Sequence, residues 1–166
     1  KPELASLTLG SLNFPTQASV NEPDMIRRLA EEMKARGVVP ELEVFDLGMV
    51  DCLRYLLERG VLEPPLYVNI LLGSLGTLAA TPANLVAVVQ ALPAGATWSA
   101  AGIGRFSLDM TGLGIAMGGH VRVGLEDGVW LDAAKTTHAT NEGLVRRAAG
   151  IASALERRPA SPAEAR

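Results

Sequence analysis

His120-Val-Arg-Val-Gly-Leu-Glu-Asp127 is the stretch on which the fold of this chain is decided. A short β-rich run extends from His120 to Gly124, and a charged cluster follows at once. Alternation puts Val121 and Val123 on one face and Arg122 and Gly124 on the other. An arginine on a strand, with Glu126 and Asp127 at its C-terminal end, suits the rim of an α/β domain, where ligands bind. The same letters also suit a strand-end turn closed by a structural salt bridge, because Glu-Asp before Gly128 is a common turn composition. Local spacing leaves both open.

Working outward, four earlier stretches repeat the pattern of a strand, a small-residue loop and a helix. Leu4 to Leu9 is the first strand, with Ser6 and Thr8 sharing a face, and Gly10–Pro15 is a polar loop. A helix opened by Asn21 or Pro23 carries Ile26, Leu29, Ala30 and Met33 at inward spacing and ends at Gly37. Pro40 to Phe45 is the second strand, in which Glu41 and Glu43 alternate with Leu42 and Val44. A strand covered on both faces should be apolar on both. Two glutamates on one face therefore mean a wet site or a barrel interior near its mouth, or else an exposed edge strand.

A second helix follows Asp46, with Val50, Leu53 and Leu57 inward, and stops at Gly60. Leu66 to Leu72 is the third strand, apolar except for Asn69. The turn Gly73-Ser-Leu-Gly-Thr77 permits close backbone approach by an anion. It matches neither the dinucleotide fingerprint nor the P-loop. Thr81 and Pro82 suit the start of a helix bearing Leu85, Val88, Val89 and Leu92. Ala96 to Ala101 is the fourth strand, followed by the loop Gly102–Arg105, a helix over Ser107–Met117, and Gly118-Gly119. A last helix, Thr140 to Arg157, aligns Leu144, Ala148, Ile151 and Leu155 and leaves Arg146, Arg147, Glu156 and Arg157 to solvent. The tail from Pro159 onward is expected to be held loosely.

Composition narrows the function classes. The 166 residues are 48% apolar and 20% charged, which fits one folded domain with a substantial core. A net charge of -3 gives no electrostatic reason to expect nucleic acid or an anionic membrane. Cys52, the only cysteine, cannot form an intrachain disulfide, and its helical setting favours packing over nucleophilic chemistry. A reducing, cytoplasmic compartment is the simplest expectation. No apolar run approaches the ~18–20 residues of a membrane span.

The strands begin near positions 5, 41, 66, 96 and 120. That spacing averages about 29 residues, close to the ~31 of eight βα units in roughly 250 residues. A complete five-unit open sheet is one solution. The preferred one is a (β/α)₈ TIM barrel, of which residues 1–158 supply the last five units and 159–166 a tail. The chain starts at Lys1 and enters a strand almost immediately, so three further units are expected ahead of it. Residues 1–166 alone are then expected to aggregate or to need that segment as a partner, because five strands cannot close the barrel.

Several stretches resemble the β-keto acid cleavage enzymes: Ala5–Ser11, Pro40–Asp46, Leu72-Gly73, Gly102-Ile-Gly104 and, above all, Gly118-Gly-His-Val-Arg-Val-Gly-Leu-Glu-Asp127. Asn141 with Leu144-Val145, and Ala160–Arg166, resemble the family's closing segment. The resemblance implies a zinc-bearing barrel that converts a β-keto acid and acetyl-CoA to acetoacetate and a new acyl-CoA. It implies Glu126 as one metal ligand, with a His-x-His pair expected outside this sequence. His120 and His138 match neither histidine. It further implies Asp127 as base or proton-relay member for an acetyl-CoA enolate, and Arg122 as the group that orients it and stabilises oxyanionic charge. Glu43 matches an active-site glutamate suited to a substrate amino group or the relay. Ser6 and Thr8 match polar positions near the substrate carboxylate, and Asn69 joins them as a substrate-binding expectation. Gly128, where many relatives carry asparagine, and Gly73-Ser74, in place of Gly-Val, are departures that bear on substrate identity. A homo-oligomer is expected. A metal-dependent aldolase on the same barrel, or a non-catalytic α/β domain, are the competing functions.

Overall fold

Parallel pairing joins the predicted strands into one sheet in a computed structural model that describes residues 2–165. The strands are β1 (Leu4–Thr8), β2 (Leu12–Asn13), β3 (Ala18–Ser19), β4 (Val39–Val44), β5 (Tyr67–Leu72), β6 (Thr97–Gly102) and β7 (His120–Val121). The main sheet runs β1-β4-β5-β6-β7, while β2 and β3 form a separate antiparallel pair. The helices are α1 (Pro23–Ala35), α2 (Leu47–Glu58), α3 (Pro82–Ala91), α4 (Ser107–Ala116) and α5 (Asn141–Ala154).

The strand order decides between the two architectures. Each strand lies beside the next βα unit, and the order never reverses. Right-handed crossovers that always step the same way lay every helix on the same face of the sheet. An open doubly wound sheet instead reverses at a switch point and places helices on both faces. The five units are therefore those of a (β/α)₈ barrel.

Alternation divides the sheet into two chemically different faces. Leu7, Leu42, Val44, Val68, Ile70, Leu72 and Ala100 join Ile26, Ala30, Val50, Leu53, Leu85, Val88 and Met110 in one continuous core between sheet and helices. Local signals set the helix starts. Asp46 accepts from the Met49 amide at 2.9 Å, Thr81 from that of Asn84 at 3.2 Å, and Thr140 from that of Gly143 at 3.0 Å. Helix α1 relies on Pro23 in its first turn, since Glu22 makes no side-chain cap.

Several expectations need correction. The strand expected over His120–Gly124 shortens to His120–Val121, although the Arg122 amide still reaches the Ala100 carbonyl at 3.1 Å. The expected loop Gly10–Pro15 contains β2, which pairs with Ala18–Ser19. Leu29, expected inward, is exposed, and so is Leu155. Arg157, expected in solvent, donates to the carbonyls of Ile115, Gly118 and Gly119 and so satisfies the end of α4. Strand β4 is flanked by β1 and β5, which removes the edge-strand explanation for Glu41 and Glu43. Cys52 packs partly buried against the core, and burial pushes its thiol pKa up, away from thiolate chemistry. Residues 159–165 are exposed, and Arg158 pairs locally with Glu164 at 2.5 Å.

Candidate active site

Register carries polar side chains across the face turned away from the helices. Thr8, Glu43, Asn69 and Ser99 align across four strands, and Ser6, Glu41, Tyr67 and Thr97 form the neighbouring row. Hydrogen bonds run along the first row and link it to the second. Thr8 Oγ1 donates to Glu43 Oε2 at 2.6 Å. Ser99 Oγ donates to Asn69 Oδ1 at 2.9 Å, and Asn69 Nδ2 donates to Glu41 Oε1 at 3.0 Å. Asn69 and Ser99 are fully buried, and no buried side-chain polar atom among the described residues lacks a partner.

Arg122 joins this face to the loop after β7. Its Nε donates to Asp127 Oδ2 at 2.9 Å, Nη1 to Glu43 Oε1 at 3.1 Å, and Nη2 to Glu126 Oε2 at 2.8 Å. The planar guanidinium thus fixes three carboxylates from two separate parts of the chain. The adjacent acids Glu126 and Asp127 have opposite surroundings: the Glu126 side chain is 83% exposed and that of Asp127 5%. One carboxylate is available to an incoming group, and the other is held in the protein.

Backbone contacts set that difference. The Asp127 and Gly128 amides both donate to the Gly124 carbonyl, and the Asp127 carbonyl accepts from the Gly104 amide at 2.5 Å. Asn141 Oδ1, at the start of α5, accepts from the Leu125 amide at 3.0 Å and ties the turn to the last helix. A Cβ at Gly128 would lie 3.3 Å from the Gly104 carbonyl oxygen, so glycine here lets the β6 loop approach closely.

Burial raises the Asp127 pKa despite the opposing hydrogen bond and charge of Arg122, with Glu126 and Glu43 adding to the rise. Burial likewise raises Glu41, with Glu43 pushing the same way and Arg122 and the Asn69 hydrogen bond opposing. Burial works against the Arg122 charge, but Asp127 and the other carboxylates more than offset it, and its pKa rises. A buried carboxylate with a raised pKa beside a fixed guanidinium can exchange a proton, and the same guanidinium can stabilise developing negative charge.

The structure brings Arg122, Asp127, Glu126, Glu43 and Thr8 into one bonded network. Asn69 lies in the linked Glu41–Ser99 chain, and Ser6 is exposed on the same face. His120, the first residue of β7, is exposed and aligns with Ser99. His138 stacks on Trp130, ring centroids 4.2 Å apart. Sequence reasoning put Glu41 on the right face but gave it no role, and it missed Ser99 and the positioning bond from Asn141. Among the described residues no group of three or more His, Cys, Asp or Glu is placed to hold a metal ion. A catalytic zinc takes three protein ligands, so these residues do not build a zinc centre alone. Glu126 fits a single ligand position, since its Oε1 makes no hydrogen bond among the described residues.

A family profile described as beta-keto acid cleavage enzyme matches residues 1–166. The chain belongs to that family. It is 40% identical to a 3-keto-5-aminohexanoate cleavage enzyme of Fusobacterium nucleatum, over 99% of this chain and 60% of the relative. It is 37% identical to a 3-oxoadipate:acetyl-CoA acetyltransferase of Cupriavidus necator, over 100% of this chain and 59% of the relative. The chain thus spans about 60% of the length of the curated relatives it matches. Among solved structures, apo ObcA superposes with a TM-score of 0.81 at 19% identity, covering 99% of this β-keto acid cleavage family chain and 43% of ObcA. That likeness concerns the fold.

Proposed function

We propose that the protein carrying this chain is a β-keto acid:acetyl-CoA transferase that releases acetoacetate and a new acyl-CoA. The observation that carries the reading is Arg122 bonded at once to Glu43, Glu126 and Asp127, within a match that runs the length of the chain. Relatives named for a 3-keto acid or for transfer to acetyl-CoA support the reaction class.

Atom balance places the proton step. Acetoacetate and an acyl-CoA form only if C2 of the keto acid bonds to the acetyl carbonyl carbon, expelling CoA thiolate. The thiolate then adds to the 3-keto carbon, and the C2–C3 bond breaks to release acetoacetate. The proton therefore leaves C2 of the keto acid. An acetyl-CoA enolate, the species expected from the resemblance, would not lead to these products. Asp127 accepts the C2 proton and returns it to acetoacetate after cleavage. Arg122 keeps Asp127 oriented and faces the oxyanionic charge that develops at each carbonyl. Glu43, held by Thr8 and Arg122, and Glu41, held by Asn69, face the far end of the substrate, with Ser6 beside its carboxylate.

Four carboxylates around one guanidinium would repel an anionic keto acid unless a cation offsets them, and this supports a zinc ion held by Glu126 and a His-x-His pair outside these residues. Bound zinc would supply Lewis acidity at the keto oxygen and carboxylate. A cytoplasmic homo-oligomer completes the proposal; among the described residues no helix is long and apolar enough to cross a membrane. The test is acetoacetate release by the full-length protein from acetyl-CoA and a panel of β-keto acids with cationic, anionic and neutral ends. Acetyl-CoA-dependent release from at least one supports the proposal, and none from any member overturns it.

A further inference from the structure

A second cleft opens beside the Arg122 network, and none of the side chains bonded in that network lies on its lining. Gly104, Arg105, Ser107, Trp130, Lys135 and Arg147 help to enclose about 350 Å³. That volume falls in the range of small-molecule sites, ~300–1,000 Å³. Two of the cations are uncommitted: Arg105 rests over the Phe106 ring at 4.7 Å, and neither it nor the Lys135 ammonium makes a side-chain hydrogen bond or ion pair among the described residues. By contrast Arg27, Arg36, Arg54, Arg146 and Arg158 each pair with a carboxylate.

The other charges on the cleft are mostly engaged. Arg147 donates to the Leu131 carbonyl. Asp132 accepts from the Thr136 and Thr137 amides, bonds that hold its pKa down at about 2. Asp109 also lies on the lining, so Arg105 and Lys135 face one uncommitted carboxylate. Trp130 adds a planar indole, braced by its stack on His138 at an interplanar angle of 23°. Val129 and Trp130 follow directly on Asp127-Gly128, and Gly104 is the residue whose amide bonds the Asp127 carbonyl. The cleft therefore adjoins the proposed base.

We propose that this cleft binds the phosphorylated adenosine end of the CoA thioester, with Arg105 and Lys135 on phosphate and Trp130 against the adenine ring. The inference rests on the acetyl-CoA reaction proposed above. Uncommitted cations with a flat aromatic surface suit an anionic nucleotide, because phosphate takes charge-assisted hydrogen bonds and a purine stacks on indole.

The experiment titrates the full-length protein with CoA, dephospho-CoA, adenosine 3′,5′-bisphosphate and inorganic phosphate by calorimetry. The variant is Arg105→Gln/Lys135→Gln, and both positions are exposed, so the fold is not at issue. CoA should bind the variant about 10- to 100-fold more weakly, the scale of lost hydrogen bonds to a charged group. The wild type should prefer CoA to dephospho-CoA, and the variant should lose that preference. The keto acid KM and kcat at saturating acetyl-CoA should not move. Equal CoA affinity in both proteins overturns the cleft assignment and leaves the reaction standing. Inorganic phosphate binding as tightly as the bisphosphate overturns the nucleotide assignment. No CoA binding to the wild type overturns both proposals.

Discussion

Replacing Arg122 with methionine separates the roles of its three carboxylates. The substitution strands Asp127, whose side chain is 5% exposed, and removes one of two donors from Glu43, which is 15% exposed. Removing one partner of a buried ion pair costs about 3–5 kcal/mol. Arg122 itself is 24% exposed, so solvent screens part of that loss, and the exposed Glu126 adds almost nothing. About 2–4 kcal/mol at pH 7.5 is the resulting expectation. The Asp127 pKa is already raised by burial, and loss of Arg122 raises it further. A raised folded-state pKa contributes stability that is present below the unfolded value, near 4, and is lost as pH rises through the folded value. The R122M penalty should therefore be small near pH 4.5 and full at pH 7.5. Adding Asp127→Asn should relieve most of it at pH 7.5, since a neutral amide carries no buried charge. Urea denaturation of the full-length wild type, single variants and double variant at both pH values measures this. A penalty equal at both pH values and untouched by D127N would refute the reasoning.

Two further outcomes test the positioning of the site. Asn141→Ala removes the acceptor of the Leu125 amide and frees the turn that carries Glu126 and Asp127, so turnover should fall about 10-fold while stability drops only ~1 kcal/mol; steady-state kinetics beside a melt distinguish the two. Gly119→Ala drives a methyl group into the Trp98 ring and should destabilise by about 1–3 kcal/mol with turnover per folded molecule unchanged, as chemical denaturation and kinetics would show.

Much of this arrangement is legible in the sequence because it depends on local periodicity. The regular βα spacing and the Glu41/Glu43 alternation both survive in the structure, since each strand's face is fixed by its own pleat. Arg122 and Asp127 lie five residues apart and meet as the charged cluster suggests. What stays hidden depends on long-range register. The Ser99–Asn69–Glu41 chain joins strands about thirty residues apart, and no single segment reveals it. The same holds for Arg157, which serves carbonyls of α4 from beyond the end of α5. The β2–β3 pair has two residues on each side, too few to show alternation. Glu126 and Asp127 look equivalent in sequence and differ in burial because the Gly124 turn and Gly104 contact turn one of them inward.

The central claim is that Asp127, held by Arg122, moves the substrate proton. Its most direct test is the rate of acetoacetate release by the full-length protein, wild type against Asp127→Asn, with a β-keto acid the wild type accepts and with zinc content and folded fraction measured alongside. Turnover of D127N should be at least ~100-fold lower, the scale of lost acid–base catalysis, at unchanged zinc content and fold. Turnover per folded molecule close to wild type, with only the melting temperature lowered, would contradict it and leave Arg122–Asp127 as a structural salt bridge.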